Sequence, residues 1–483
     1  MADFDLIVIG AGAAGLSVAA GAAQLGARVA LIERGRMGGD CLNTGCVPSK
    51  ALLAAAHAAR AVREVGRFGV VAGEPSVDWD RLRAYVHNTI SKLAPMDSAA
   101  RYQGLGATVI EGEARFVASD AVSVDGQRLT AKRFVVAAGS RAAVPSVDGL
   151  DAVPYWTNET LFDLPEQPDH LLILGGGPVG LEMADAFAGL GCRVTLVEAD
   201  RIARGHDAEL ADGLRQVLAA QGVALHEGVP VARVELGSPT LGRVPGQASA
   251  RVLVLADGTR LAGSHLLVAA GRAPDLEALD LPAGNIRAGA RGVTVDRGLR
   301  SVSNRRVFAA GDIADPQGVG PRAFTHVASY HAGLLLRRLL FRLPARLDYG
   351  ALPRVIYTAP ELAQTGLTES EANARGLSVQ LLRWPMSDND RAVAEGNTAG
   401  LVKLVVQGNR VLGAGILAPN AGEMINQWSL AIAQRTSLSA LAGQIVAYPT
   451  RSEAGRRAAS MNFTSRLFAP RTKTLVRLLL RLP

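Results

Sequence analysis

The chain contains the stretch Asp5-Leu6-Ile7-Val8-Ile9-Gly10-Ala11-Gly12-Ala13-Ala14-Gly15, an apolar run that leads into three glycines with the spacing G-x-G-x-x-G. The apolar run predicts a buried strand, and the small residues after it predict a helix that ends near Gly26. Gly10 would permit a tight turn, Gly12 would let a pyrophosphate approach the backbone, and Gly15 would let helix and strand pack closely. Amides at the helix N-terminus would bind the phosphates. The stretch therefore predicts the start of a dinucleotide-binding Rossmann unit.

A second strand and an acid support this interpretation. Residues 28–32 are predicted to form a second strand, which ends in Glu33. Its carboxylate has the spacing expected for a group that binds ribose hydroxyls. The glycine pattern alone is weak evidence, because it also occurs in ordinary glycine-rich turns. Strand, helix and terminal acid together predict nucleotide binding.

The same pattern recurs 165 residues later, from Gly10 to Gly175. An apolar run at 171–174 leads to a predicted helix, and a further strand at 193–197 ends in Glu198. Glu198 favours a free ribose 2′-hydroxyl and would repel a 2′-phosphate, so this unit is predicted to prefer NADH over NADPH. Arg201 lies near enough in sequence to weaken that preference. The glycines of this second unit are Gly175, Gly177 and Gly180.

A cysteine pair follows the first unit directly. Cys41 and Cys46 lie five residues apart, and the only other cysteine of the sequence is Cys192. Three cysteines do not form the disulfide framework that stabilises small secreted domains, so we interpret the pair as a redox disulfide. A helix N-terminus together with nearby Lys50 would lower the pKa of a thiol here. Cys192 is interpreted as a small buried residue.

Composition and charge exclude several classes of protein. A length of 483 residues with 48% hydrophobic residues predicts a globular enzyme of about two to four domains. No basic leader with an apolar segment and a cleavage site is seen, so a cytoplasmic location is expected. The sequence contains no window of about eighteen strongly apolar residues, so no membrane span is predicted. The net charge is +7, but scattered arginines and an aromatic content of 5% argue against nucleic-acid binding.

Two nucleotide units with a cysteine pair after the first resemble the class I pyridine nucleotide-disulfide oxidoreductases, the family of dihydrolipoamide dehydrogenase, glutathione reductase and mercuric reductase. Further motifs match in order. Two of them, Ala137-Ala138-Gly139-Ser140 and Ala269-Ala270-Gly271-Arg272, are similar to the turns at the edges of the nucleotide domains. The stretch Val307-Phe308-Ala309-Ala310-Gly311-Asp312 is similar to the second flavin motif. Tyr357-Thr358-Ala359-Pro360-Glu361 and Asp390-Arg391-Ala392 resemble parts of the dimerisation domain.

The resemblance implies an α/β fold with two Rossmann-like domains, one for FAD and one for NAD(P), and an α+β C-terminal dimerisation domain that forms a homodimer. The implied domains are 1–150 (first part of the FAD-binding domain), 151–275 (NAD(P)-binding domain), 276–346 (central segment completing the FAD domain), 347–465 (dimerisation domain) and 466–483 (basic amphipathic tail).

The resemblance also implies the cofactors, FAD and NADH, and the order of electron transfer. Electrons would pass from NADH to FAD, then to a Cys41–Cys46 disulfide, and then to an acceptor. Cys46 would be the thiol nearest the flavin, and Cys41 would exchange with substrate. Lys50 is similar to the family lysine that pairs with a glutamate of the second unit, here Glu182; the alternative for Lys50 is a solvated helix charge. Asp312 would bind the ribityl chain of the flavin.

One family residue is replaced in this chain. The family's catalytic base is a histidine in a His-Pro-Thr-x-x-Glu motif, whereas this sequence reads Tyr448-Pro449-Thr450-Arg451-Ser452-Glu453. A phenol with a pKa near 10 is deprotonated only about once in a thousand at neutral pH. All eight histidines lie at or before His331, so none can replace the base within the predicted dimerisation domain. His326 and His331 are explained at least as well by packing as by catalysis.

Tyr448 is therefore predicted to donate a hydrogen bond or a proton, with Glu453 as its partner. Such a group suits a quinone-like acceptor or another small oxidant that needs an acid, and exchange with lipoamide or glutathione is expected to be weak. One alternative is dihydrolipoamide dehydrogenase- or mercuric reductase-like activity, although the extra C-terminal cysteine pair of mercuric reductases is not found. The other is a redox sensor or binding protein without turnover. No metal site is predicted.

Residues 470–483 combine basic and apolar side chains and contain no acid. Lys473, Arg477 and Arg481 repeat every four residues, as on one face of a helix. This pattern predicts a basic amphipathic helix that contacts an anionic membrane surface; the alternative is a helix packed on its own dimer. The leucines that fall mostly opposite are Leu475, Leu478, Leu479 and Leu482.

Overall fold

The computed structural model describes residues 2–237 and 250–483. The strands are β1 (Phe4–Ile9), β2 (Val29–Glu33), β3 (Ala107–Glu111), β4 (Ala114–Ala118), β5 (Ala121–Val124), β6 (Gln127–Val136), β7 (Ser140–Ala142), β8 (His170–Leu174), β9 (Arg193–Glu198), β10 (Val223–Glu227), β11 (Val231–Leu236), β12 (Arg251–Leu255), β13 (Arg260–Gly263), β14 (His265–Val268), β15 (Arg272–Pro274), β16 (Ala288–Gly289), β17 (Gly292–Val295), β18 (Val307–Ala309), β19 (Ala314–Pro316), β20 (Arg354–Ile356), β21 (Glu361–Gly366), β22 (Gln380–Pro385), β23 (Leu401–Gln407) and β24 (Arg410–Ala418). The helices are α1 (Ala13–Gln24), α2 (Gly39–Asn43), α3 (Cys46–Glu64), α4 (Trp79–Leu93), α5 (Ala99–Gly104), α6 (Pro178–Gly189), α7 (Ala208–Ala220), α8 (Thr325–Leu339), α9 (Glu369–Ala374), α10 (Asp390–Ala394), α11 (Ala421–Ala433), α12 (Leu438–Ala442), α13 (Glu453–Leu467) and α14 (Pro470–Leu479).

The first sheet is parallel at its centre. Its parallel strands lie in the order β3-β2-β1-β6-β18; β6 also pairs antiparallel with β5, and β5 pairs antiparallel with β4. The last four residues of β1 are buried, as expected for a central parallel strand covered on both faces. The predicted first strand and helix are thereby confirmed, and Glu33 ends β2 as predicted.

The second sheet repeats this arrangement with parallel strands in the order β10-β9-β8-β14. Helix α6 connects β8 to β9, and β9 ends at Glu198, as predicted. The predicted NAD(P) domain, 151–275, includes residues 238–249, which lie outside the described residues. The predicted domain boundaries stay predictions.

Helix α3 joins the two units, because it follows α2, whose first residue Gly39 lies against Gly12 of the first glycine turn, and packs along α6 of the second unit. Asp185 on α6 is fully buried and accepts a hydrogen bond from Arg60 at 2.8 Å, with His57 at 3.3 Å. A Cβ on Gly189 would lie 3.0 Å from the Cβ of Ala56, so the two helices pack closely. This packing fixes the first turn of α3 relative to the second unit.

The C-terminal sheet is antiparallel in the order β20-β21-β24-β23-β22. Its core includes Ile416, Trp428 from α11 and Ala458 from α13, while Leu417 packs in the core of the second unit. The predicted fold class, two Rossmann-like units with a C-terminal α+β domain, is confirmed. Within the described parts of the chain, no helix is both long and apolar enough to cross a membrane.

Candidate functional site

The two predicted nucleotide turns have the same backbone geometry. Gly10 and Gly175 have φ angles of 101° and 117°, a region that favours glycine. A Cβ on Gly10 would lie 2.5 Å, and a Cβ on Gly175 would lie 2.4 Å, from the carbonyl oxygen of the residue that follows the neighbouring strand. A Cβ on Gly15 would lie 1.8 Å from the carbonyl oxygen of Gly10, and a Cβ on Gly180 would lie 1.9 Å from that of Gly175. Each turn therefore requires both glycines.

The middle glycines leave room for a ligand to approach. A Cβ on Gly177 would meet no heavy atom within 4 Å, and one on Gly12 would meet only the Cα of Gly39, at 3.9 Å. Gly12 and Gly177 are the N-cap residues of α1 and α6, and neither helix has a side-chain cap. These helix N-termini fit the phosphates of a dinucleotide.

Glu33 and Glu198 have equivalent contacts in the two units. One oxygen of each carboxylate accepts a hydrogen bond at 2.6 Å from the amide after the first glycine. The other oxygen accepts from the amide two residues downstream, at 2.7 Å for Glu33 and 3.0 Å for Glu198. Because each carboxylate oxygen has a second lone pair, both can still accept a ribose hydroxyl. A cavity opens beside Glu33, between β1, β2 and residues 112–114. The two sites therefore fit two dinucleotides.

The two cysteines lie where α2 meets α3. Both thiols are free, and Cys46 is the first residue of α3. The pKa of Cys46 is lowered to about 6. The hydrogen bond from Cys41 is the largest cause, the contact with Thr325 and the charge of Lys50 contribute less, and burial opposes the shift. The same hydrogen bond, together with burial, raises the pKa of Cys41. In the reduced pair these contacts favour the thiolate on Cys46 over Cys41.

Lys50 and Glu182 meet across the α3–α6 contact. The Nζ of Lys50 lies 2.6 Å from Oε2 of Glu182, and the glutamate is buried. The other oxygen of Glu182 accepts from the backbone amide of Tyr357 at 3.1 Å, and Nζ lies 4.5 Å above the ring of Tyr357. These contacts hold a positive charge one helical turn after Cys46, where it favours the thiolate.

Asp312 connects the flavin motif with both edge turns. The Oγ of Ser140, which follows Gly139, donates to Asp312 at 2.6 Å. Arg272, which follows Gly271, donates to Ser140 Oγ at 2.7 Å and lies 3.7 Å from Asp312. Burial raises the pKa of Asp312, and the contacts with Ser140 and Arg272 oppose this shift. The two edge turns thus meet at one carboxylate.

Arg272 also reaches the cysteine segment. Its Nη2 lies 3.3 Å from Oδ2 of Asp40, the residue before Cys41. The other oxygen of Asp40 accepts from Thr44 at 2.8 Å and from Asn158 at 3.0 Å. This network fixes α2 relative to the strand that follows the second unit.

Tyr448 has a different partner from the one expected. The side chain is 68% exposed, and its hydroxyl donates to Oδ2 of Asp390 at 2.9 Å. Among the described residues, Glu453 instead accepts hydrogen bonds from Arg456 and Arg457, three and four positions along its own helix. The Tyr448 hydroxyl is thus bonded to Asp390 and not to Glu453, although the charge of Glu453 also contributes to raising the pKa of Tyr448. The hydrogen bond and charge of Asp390 raise the pKa of Tyr448, so its phenol stays protonated at neutral pH.

The two histidines near the flavin motif are packed and neutral. The Nδ1 of His331 accepts from the amide of Gly311 at 3.1 Å, and its Nε2 lies 2.7 Å from the Tyr349 hydroxyl. Burial lowers the pKa of His331 to about 4. His326 lies 3.0 Å from the carbonyl oxygen of Pro353, and burial lowers its pKa too. These contacts favour packing over catalysis for both side chains.

The roles of the predicted site residues stay predictions, but the structure places them in two groups. The first group lies around the cysteines and the two nucleotide turns; the second, with Tyr448 and Glu453, lies on the C-terminal domain. The sequence reasoning missed Thr325, Arg272 and Asp390 as contact residues. Arg272 and Asp390 lie within motifs that the sequence reveals, yet their partners are 132 and 58 positions away, so the pattern does not identify the contacts.

Comparison with known proteins identifies, along most of the chain, the same family that the sequence motifs resemble. Residues 4–332 match the family described as "Pyridine nucleotide-disulphide oxidoreductase", and residues 352–459 match its dimerisation domain. The chain is 36% identical over 475 residues to the mercuric reductase of Streptomyces lividans, covering 96% of each chain. It is 33% identical over 466 residues to the mercuric reductase of Lysinibacillus sphaericus, covering 95% of this chain and 83% of that one.

Solved structures show the same similarity. The fold matches the HOCl-induced flavoprotein disulfide reductase RclA from Escherichia coli with a TM-score of 0.82 and 27% identity, covering 95% of this chain and 99% of that one. A Cu(II) complex of the same protein matches with a TM-score of 0.82 and 27% identity, covering 95% and 98% of the two chains.

Proposed function

Because the chain belongs to the pyridine nucleotide-disulphide oxidoreductase family, we propose that it uses NADH to reduce a Cys41–Cys46 disulfide and passes the electron pair to a quinone-like acceptor or another small oxidant. The protein is an FAD-dependent oxidoreductase that uses a pyridine nucleotide, and its dimerisation domain supports a homodimer. When bound, FAD supplies two-electron transfer between a nicotinamide and a disulfide.

We assign the two dinucleotides to the two turns in chain order. The residues proposed to hold FAD are Gly10, Gly12, Gly15, Glu33, Gly139 and Asp312. The residues proposed to hold NADH are Gly175, Gly177, Gly180, Glu198 and Gly271. Lys50 and Glu182 are proposed to fix the charge beside Cys46.

The hydrogen bond from Tyr448 to Asp390 is the observation that supports this acceptor class. Exchange with a disulfide substrate needs a base near neutral pH, whereas a phenol is already protonated there and the contact with Asp390 raises its pKa further. In a homodimer of the family type, Tyr448 of one subunit faces the cysteine pair of the other. The phenol can then stabilise or protonate an acceptor oxygen that gains charge.

The proposed final step balances in electrons and protons. The Cys46 thiolate and the Cys41 thiol lose two electrons and one proton as the S–S bond forms. A quinone gains two electrons and two protons and becomes a hydroquinone. One proton comes from Cys41 and the other from Tyr448, which solvent reprotonates.

Anaerobic reduction by NADH followed by rapid mixing with a panel of oxidants tests this proposal. We expect reoxidation by a benzoquinone to be at least about 100-fold faster than reoxidation by lipoamide or glutathione disulfide, the range attributed to a missing general base. The enzyme is first reduced with one equivalent of NADH, and the readout is the loss of the thiolate-to-flavin charge-transfer absorbance in a stopped-flow instrument. Fast reoxidation by lipoamide with slow reoxidation by quinones would contradict the proposed acceptor class.

Hg(II) reduction is a second candidate, because the similar proteins from Streptomyces lividans and Lysinibacillus sphaericus are mercuric reductases. The described chain offers Cys41 and Cys46 as accessible thiols, while Cys192 is buried. Hg(II) and Cu(II) therefore belong in the same oxidant panel. A rate with Hg(II) equal to or above the quinone rate would favour this candidate. Reduction by NADH without turnover on any oxidant would indicate a redox sensor.

Glu198→Ala is expected to reduce kcat/KM for NADH by about 10- to 100-fold, the effect of losing a hydrogen bond to a charged group. Arg201 lies 2.5 Å from Asp212, so it is engaged away from a 2′-phosphate, and the wild type should prefer NADH. Steady-state kinetics with NADH and NADPH measures both effects. Asp200→Ala, which removes the exposed neighbouring acid, is the matched control and should leave the preference unchanged. Equal use of both coenzymes by the wild type would contradict the role of Glu198.

A further inference from the structure

Helix α14 exposes its apolar side chains to solvent. None of its residues is buried, although α13 before it packs into the C-terminal core through Ala454, Ala458 and Ala459. Pro470 starts α14 as a separate helix after α13 ends at Leu467. The side chains that are more than half exposed here are Leu467, Phe468, Leu475, Leu478, Leu479, Leu480 and Leu482.

The same segment is basic throughout. Residues 470–483 contain four basic residues and no acid, and all four basic residues are exposed. Lys473 and Arg477 are four positions apart, so they line one side of α14, and Arg481 follows two residues after the helix ends. Leu475 and Leu479 share the opposite side, which gives the segment a charged and an apolar face.

We propose that residues 470–483 bind the surface of an anionic lipid bilayer, with the leucines among the acyl chains and the basic residues at the headgroups. An anionic bilayer can bind both faces of the segment at once, because its acyl chains are apolar and its headgroups carry a dense negative charge. Nucleic acid would pair with the arginines but would leave the leucines in water. The positive charge of the segment and the negative charge of the headgroups therefore favour an anionic membrane as the binding partner of residues 470–483. A homodimer carries two such segments, which raises the effective affinity for one surface.

Vesicle flotation of the purified holoenzyme tests the proposal. We expect the wild type to float with phosphatidylcholine vesicles that contain about 30% phosphatidylserine, and at least about 10-fold less with pure phosphatidylcholine. Flotation should also fall several-fold in about 1 M salt, where the Debye length is about 3 Å. Leu475→Glu/Leu479→Glu and Arg477→Glu should each reduce flotation by at least about 10-fold.

Arg81→Glu is the matched control for charge, because Arg81 is an exposed arginine on α4 and the substitution changes the net charge equally. This variant should float like the wild type. NADH-dependent flavin reduction checks that each variant is folded and is independent of lipid. Absence of flotation of the wild type with anionic vesicles would overturn the proposal. Equal flotation of the wild type and Leu475→Glu/Leu479→Glu would overturn it too. If that variant instead dissociates the dimer in light scattering, the segment packs on the partner subunit and the proposal is wrong.

Discussion

Cys46→Ser is expected to lower NADH-dependent reduction of the acceptor by about a thousand-fold or more, because a serine hydroxyl neither forms a disulfide nor ionises near neutral pH. Reduction of the flavin by NADH should continue, since the second nucleotide turn and the Lys50–Glu182 pair are unchanged. Steady-state oxidation of NADH with a quinone measures the loss, and anaerobic bleaching of the flavin measures the step that remains.

Cys192→Ser is the matched control, because this buried thiol accepts a hydrogen bond from Gln167 at 3.4 Å, remote from the pair. It should retain acceptor turnover.

In the reduced wild type, alkylation by iodoacetamide should rise with pH through about 6 and then level off, because the low pKa of Cys46 supplies thiolate above that pH. Unchanged quinone turnover in Cys46→Ser would show that electrons reach the acceptor without passing through the cysteine pair.

Tyr448→His is expected to raise the reduction of lipoamide and glutathione disulfide by about 100-fold or more. An imidazole has a pKa near 6.5 and can take and return a proton at neutral pH, and general base catalysis contributes about 100- to 10,000-fold. The phenol is surface-exposed, and the gain rests on our proposal that a family-type dimer places residue 448 at the partner subunit's disulfide. Steady-state assays with each disulfide, at equal FAD content, measure the change.

Tyr448→Phe separates the new base from simple loss of the phenol. This variant removes the hydrogen bond to Asp390 without adding a base, so disulfide reduction should stay low and quinone reduction should fall. Asp390→Asn keeps a hydrogen-bond acceptor but removes the charge that raises the pKa of Tyr448. If Tyr448→His folds, binds FAD and still shows no gain with disulfides, the tyrosine is not what limits their exchange.

The fold and both nucleotide turns could be predicted from the sequence because their determinants are local. Gly10 and Gly15 lie within one strand–turn–helix unit, and the contact between Glu33 and the turn spans only 22 residues. Backbone sterics of this kind depend little on the rest of the chain. The pairing of Lys50 with Glu182 spans 132 residues and was expected only through resemblance to a family.

The C-terminal part of the site shows where this reasoning fails. The motif that ends in Glu453 predicted a partner for Tyr448 five residues away, whereas the hydroxyl meets Asp390, 58 residues away. Side-chain partners depend on which elements pack together and which neighbours compete for the same group. Arg456 and Arg457 both donate to Oε1 of Glu453, and the motif itself does not show these contacts.

The sequence was enough to identify two dinucleotide turns, a cysteine pair beside the first of them, and a phenol in place of an imidazole. It could do so because each is a property of residue type and short-range spacing. The tertiary structure added that the contacts of the pair favour the thiolate on Cys46 and that the phenol donates to Asp390, which raises its pKa further. The physical reason is that a pKa depends on charges and hydrogen bonds that packing brings together from distant parts of the chain.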